Sequence, residues 1–78
     1  MDNKEINNRL NRIEGQIVGL SKMIQVGEKD ALSVVQQIMA LKSALEKVGV
    51  LILMEEIKNG GEDSSKQEKI FDYLIKLS

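Results

Sequence analysis

Apolar residues recur along this 78-residue chain at intervals of three and four. The first series is Ile6, Leu10, Ile13, Ile17, Leu20 and Ile24, a 4, 3, 4, 3, 4 spacing. A helix turns about 100° per residue, so this spacing keeps every member on one side and predicts a helix over about 4–25. Gly27 supplies its stop, because glycine accepts the left-handed conformation that closes a helix. The second series is Val34, Ile38, Leu41, Leu45, Val48 and Ile52. It predicts a helix over about 31–59, with the Asp30 carboxylate placed to accept from the first free N–H groups. Val35, Met39, Leu51, Leu53, Met54 and Ile57 widen this stripe beyond what one partner helix covers, and from Val48 to Met54 the helix is apolar all round. Asn59, Gly60 and Gly61 end it, and Glu62 to Ser64 form a polar loop. Ser65-Lys66-Gln67-Glu68 then has the spacing of a capping box. It opens a third helix over about 66–76, whose apolar face is Ile70, Phe71, Leu74 and Leu77. No proline interrupts the chain and no strand-like alternation occurs, so the expected class is all-α, in one domain spanning 1–78.

Composition pushes this picture toward an assembly. A chain of this size buries only about 60% of the surface that its unfolded form exposes. It has no Cys and no His, which excludes a disulfide and the usual structural zinc site. Yet 42% of its residues are apolar, and a second helix roughly 43 Å long at 1.5 Å per residue outgrows what two shorter neighbours cover. A dimer or tetramer is expected. The longest unbroken apolar run, Val50 to Met54, extended only by Val48 and Gly49, is far short of the ~20 residues that span a bilayer. The first apolar stretch is broken by Lys4, Glu5, Arg9 and Arg12. No membrane partner and no secretory signal are therefore expected, and the reading is cytoplasmic.

A net charge of −1 argues against a uniformly basic nucleic-acid binder, but distribution matters more than the sum. Both arginines lie in the first dozen residues. Arg9, Arg12 and Gln16 share one flank of the first helix, beside the Ile/Leu stripe. The planar guanidinium fork suits a phosphate or a guanine edge, and Gln16 can bond a phosphate, a base or a neighbouring helix. The same spacing also suits a solvated flank with Glu5–Arg9 and Arg12–Gln16 pairs; pattern alone leaves both readings open. Gly15 and Gly19, four apart, are expected to let another helix approach closely. No enzyme chemistry emerges: there is no His, no Cys and no Gly-rich phosphate loop, and Glu55 and Glu56 point about 100° apart. No cofactor is expected. Met39 and Met54 read as core filler, and Glu55, Glu56, Glu62 and Asp63 as an exposed acidic helix end.

The stretch Arg9-Leu10-Asn11-Arg12-Ile13-Glu14-Gly15-Gln16-Ile17-Val18-Gly19-Leu20 resembles the opening helix of the CsoR/RcnR family of repressors. The likeness continues through Val34-Val35-Gln36-Gln37-Ile38-Met39-Ala40-Leu41-Lys42-Ser43-Ala44-Leu45-Glu46-Lys47-Val48-Gly49. The resemblance implies a three-helix protomer that pairs into an antiparallel four-helix-bundle dimer, with two dimers forming a tetramer. It also implies operator double-stranded DNA as partner, and an inducer that causes release. Arg9 and Arg12 are then the foremost DNA-binding candidates, joined by Gln16, Lys42 and Lys47. Val18 stands where many members carry Arg, and Glu46 where a base is common, which implies weaker binding and a shallower salt dependence. The family's metal-ligand positions fall on Ala31, Glu56 and Gly60. These cannot supply the thiolates that Cu(I) favours, the imidazoles of the nickel and cobalt sensors, or the cysteine chemistry of the persulfide and formaldehyde sensors. The expectation is a homo-oligomeric repressor answering another signal, such as an organic effector in the former ligand pocket. The alternative is a helical subunit that forms a hetero-oligomer with a ligand-competent paralogue.

Overall fold

The computed structural model describes residues 3–27, 30–60 and 64–78. These form three helices, α1 (Asn3–Gln25), α2 (Ala31–Asn59) and α3 (Ser64–Leu77), with no strand among the described residues. The first two follow the apolar periodicity to within a residue, because local signals bound them. Gly27 has φ 72° and Gly60 φ 67°, and their N–H groups donate to Ile24 and Ile57 carbonyls that the helix ends leave free. Asp30, extended at φ −81° and ψ 91°, caps α2. Its Oδ1 accepts from the N–H of Leu32 at 3.1 Å and of Ser33 at 3.4 Å, and the Ser33 hydroxyl donates to Oδ2 at 2.8 Å. The Ser33 hydroxyl, followed by the Ser33 and Leu32 N–H groups, holds the Asp30 carboxyl below the usual carboxylate range.

The third helix departs from expectation. It opens at Ser64, two residues early, which puts Ser65 inside the helix. An N-cap needs non-helical backbone, so the capping box does not sit at this terminus. Gly61, expected to help end α2, and Glu62 and Asp63, expected in the loop, lie outside the described residues.

Packing places α2 in the middle. α1 packs on it, α3 packs on it, and α1 and α3 do not meet among the described residues. The Cα atoms span 50 × 25 × 13 Å, the dimensions of a layer one helix deep. Between α1 and α2, Ile6, Ile13, Leu41 and Val48 are buried, with Leu10, Leu20, Ala44 and Leu51 against them. Between α2 and α3, Ile70 is buried and Leu74 and Leu77 are half-buried. Leu77 sits over Gly49, where an added Cβ would stand 2.9 Å from Leu77 Cδ1, so the missing side chain sets how closely α3 docks. Phe71, expected on this face, is exposed; it stands about 100° round from Ile70, outside the Ile70–Leu77 line.

The long stripe of α2 therefore splits into two seams. Leu41 and Val48 face α1 and are buried, whereas Ile38, Leu45 and Ile52, a few tens of degrees further round, are 47%, 50% and 44% exposed. The all-round apolar stretch is covered along its two edges, while Ile52 and Met54 remain exposed. Among the described residues no side chain is fully buried, and the accessible surface is 6120 Å². A compact monomer of 8.7 kDa exposes about 4,700 Å². The excess, roughly 1,400 Å², exceeds the ~800 Å² that one partner contributes to a standard interface.

Asp30→Ala is expected to lower the melting temperature at neutral pH. Because folding depresses the Asp30 pKa, its contribution is complete above the unfolded-state value and is lost as pH falls through the folded-state one. The gap between wild type and variant, followed by circular dichroism, should close as pH drops below the usual carboxylate range. A constant gap would show that the cap does not titrate.

Candidate functional site

Three of the five residues singled out from the sequence come together. Arg9, Arg12 and Gln16 lie 3 and 4 apart on α1, and the helix carries them along one flank. They line a hollow of about 190 Å³ whose other walls are Ile13 and Ala44. The buried contact of Ile13 with the Leu41–Val48 face of α2 fixes where this flank points. Next to it, toward the N-terminus, Lys4, Glu5, Asn8, Arg9 and Arg12 line a second hollow of about 360 Å³. Arg9 and Arg12 belong to both, so the two hollows form one shallow channel along the edge of the layer.

Arg9 is held in place. Its Nη2 donates to Glu5 Oε1 at 3.3 Å, an i, i+4 pair whose side chains are 36% and 55% exposed. Its Nε is enclosed and has no acceptor among the described residues. Such a pair contributes about 0.3–0.5 kcal/mol, while an enclosed N–H without an acceptor opposes it. Arg12 and Gln16 are exposed.

The other two candidates stand elsewhere. Lys47 lines a separate hollow with Ser43, Glu46, Val50, Leu77 and Ser78, where the end of α3 meets α2. Lys42 is exposed and, two residues before Ala44, is turned about 160° away from it. Lys4 and Asn8 were not singled out from the sequence. Asn8–Arg12, four apart, and Glu5–Arg12, seven apart, are helical spacings from which their shared flank could have been read. Gly15 and Gly19 have nothing within 4 Å of an added Cβ; no helix of the same protomer approaches them closely.

The positions Ala31, Glu56 and Gly60 do not converge within one protomer. Ala31 and Glu56 are separated by 25 residues of α2, roughly 38 Å at 1.5 Å per residue. Ala31 carries only a methyl group and Gly60 no side chain, while Glu56 is engaged by Lys66 Nζ at 3.6 Å. Glu56 and Gly60 border a hollow of about 120 Å³ with Ile57, Gln67, Ile70 and Phe71, a mostly apolar lining. Among the described residues no three Asp, Glu, His or Cys side chains gather as a metal site would require. The residues present do not fit a soft or borderline transition metal. Glu62 and Asp63 of the acidic helix end lie outside the described residues. No helix of the described chain is long and apolar enough to cross a membrane.

A family model described as metal-sensitive transcriptional repressor matches residues 2–77. No curated protein and no solved structure matches the chain.

Proposed function

Because this chain belongs to the metal-sensitive transcriptional repressor family, we propose that it is a CsoR-type oligomeric repressor that grips operator DNA along the Arg9–Arg12–Gln16 channel and answers a signal other than a thiol- or imidazole-bound metal. The family is one of repressors, not of enzymes. The observation that carries the DNA assignment is the convergence of two permanently charged guanidinium groups and an amide on one open flank of α1. Such donors position a protein on the phosphate backbone. With a net charge of −1, one protomer offers a small cationic surface; several copies assembled side by side multiply it. Lys42 and Lys47 join it as contacts from α2 in that assembly.

The open seam supports the oligomer. Ile38, Leu45 and Ile52 on α2, with Ile17 half-exposed on α1, form an apolar surface that a second copy covers by pairing its own α2 in antiparallel fashion. That pairing brings the N-terminal half of one α2 against the C-terminal half of the other, the arrangement of an isologous two-fold interface. Covering the Met54 side as well takes the assembly beyond a dimer.

Three outcomes are expected. In fluorescence anisotropy with the DNA upstream of its own gene, the chain binds specifically at low salt. Arg12→Ala, an exposed change expected to leave stability within about 0.5 kcal/mol, abolishes that binding without altering the oligomer; absence of specific binding by the parent chain would falsify the DNA assignment. By sedimentation the chain is a multimer, and Leu45→Asp, which places a charge on the open seam, releases protomers. If Leu45→Asp keeps the parent mass, the seam is not the interface, and co-expression with a paralogue then distinguishes a mixed assembly from a homo-oligomer. Finally, Cu(I), Ni(II) and Co(II) leave the DNA complex intact, since no Cys or His is present to bind them; release by any of the three at stoichiometric concentration would require a site built from other ligands.

A further inference from the structure

The cationic flank of α1 has an acid at its head. Glu5, Arg9, Arg12 and Gln16 follow one another at intervals of 4, 3 and 4, so one stripe of the helix carries all four. Glu5 shares the larger hollow with Arg9 and Arg12. Its Oε1 takes the Nη2 donor of Arg9 at 3.3 Å, and in that position the Nε of Arg9 is enclosed without an acceptor among the described residues. A guanidinium grips a phosphate through two parallel N–H groups on one edge. Here one donor is taken by a carboxylate and Nε is shut away from any incoming anion.

We propose that Glu5 is a built-in competitor for the nucleic-acid phosphate, holding Arg9 off DNA until a phosphodiester oxygen displaces its carboxylate. The proposal rests on the DNA reading of this channel and adds the device that sets its affinity. The exchange is one anion for another. The Glu5–Arg9 pair is exposed and short-range in sequence, the kind that contributes little and is screened by salt. Once Arg9 swings outward, its Nε–H emerges and finds an acceptor that it lacks in the held position, so the exchange adds a hydrogen bond. Glu5 is also the acid in the first turn of α1, where the free N–H groups of the helix start favour a negative charge after Arg9 leaves. Arg12 and Gln16 are exposed and stay open to DNA throughout. Each protomer must break the Glu5–Arg9 pair before Arg9 reaches DNA, which lowers affinity and keeps the repressor releasable.

The test uses the full chain and its Glu5→Gln, Glu14→Gln, Arg9→Ala and Glu5→Gln/Arg9→Ala variants. Binding is read by anisotropy with upstream duplex DNA across a series of salt concentrations, and folding by circular dichroism. Glu14→Gln removes the same charge from α1 at a position about 160° or more round from Glu5 and Arg12, and so corrects for net charge. Glu5→Gln is expected to tighten binding about two- to fivefold, the scale of an exposed ion pair. That gain should shrink as salt rises, because salt screens the pair that the parent chain must break. Glu14→Gln should give a smaller gain, and Glu5→Gln should add nothing once Arg9 is Ala. Equal effects of Glu5→Gln and Glu14→Gln, or a Glu5→Gln gain that survives Arg9→Ala, overturn the competitor. If no folded variant binds DNA, the DNA reading fails and takes this proposal with it; binding that Glu5→Gln leaves unchanged overturns this proposal alone.

Discussion

The contact of Ile6 and Ile13 with Leu41 and Val48 organises this protein, because it decides which way every other side chain of α1 and α2 points. With those four buried together, the Arg9–Gln16 flank is turned outward, with Ala44 beside it from α2. The same contact leaves the second seam of α2, through Ile38, Leu45 and Ile52, only half covered by the described residues. A helix of 29 residues that is apolar over so much of its circumference cannot be enclosed by one 23-residue and one 14-residue helix lying along its two edges. The geometry of one small core thus generates both a polar channel and an unmet demand for burial.

These two consequences belong together functionally. Phosphate recognition needs several cations in register with a duplex, because each contact releases counterions and adds to a shared electrostatic term. A chain with equal numbers of acids and bases to within one charge does not supply that alone. In the proposed assembly the exposed seam brings further copies, and each copy brings another Arg9–Arg12 pair. Assembly and DNA binding are in this sense the same requirement met twice.

The family to which the chain belongs is defined by metal sensitivity, yet the residues at the positions that resemble its ligand set are an alanine, a glycine and a glutamate already paired with Lys66. The chain has three helices and an Arg9–Arg12–Gln16 flank but no Cys or His donor. The Lys66–Glu56 pair ties the start of α3 to the end of α2, next to a small apolar hollow. On the function proposed above, control of DNA release acts through something other than thiolate or imidazole coordination, since the chain has no Cys and no His.

Spacing of apolar residues determined the helical class, the limits of α1 and α2, and the Asp30 and Gly27 boundaries, because helix periodicity and end-capping are local physics written in consecutive residues. The shared flank of Arg9, Arg12 and Gln16 was legible for the same reason. What spacing did not contain was how a wide apolar stripe would be divided between neighbours. Leu41 and Leu45 look alike in sequence, and only the crossing of α1 over α2 buries one and exposes the other. Tertiary packing likewise put Phe71 outside the α3 contact, set Leu77 over Gly49, and sent Lys47 to a different hollow from the arginines. It also showed that Arg9 is held by Glu5 with Nε unpaired among the described residues; an i, i+4 spacing allows that pair, but whether it closes depends on the surroundings of the guanidinium, which include Ala44 of α2.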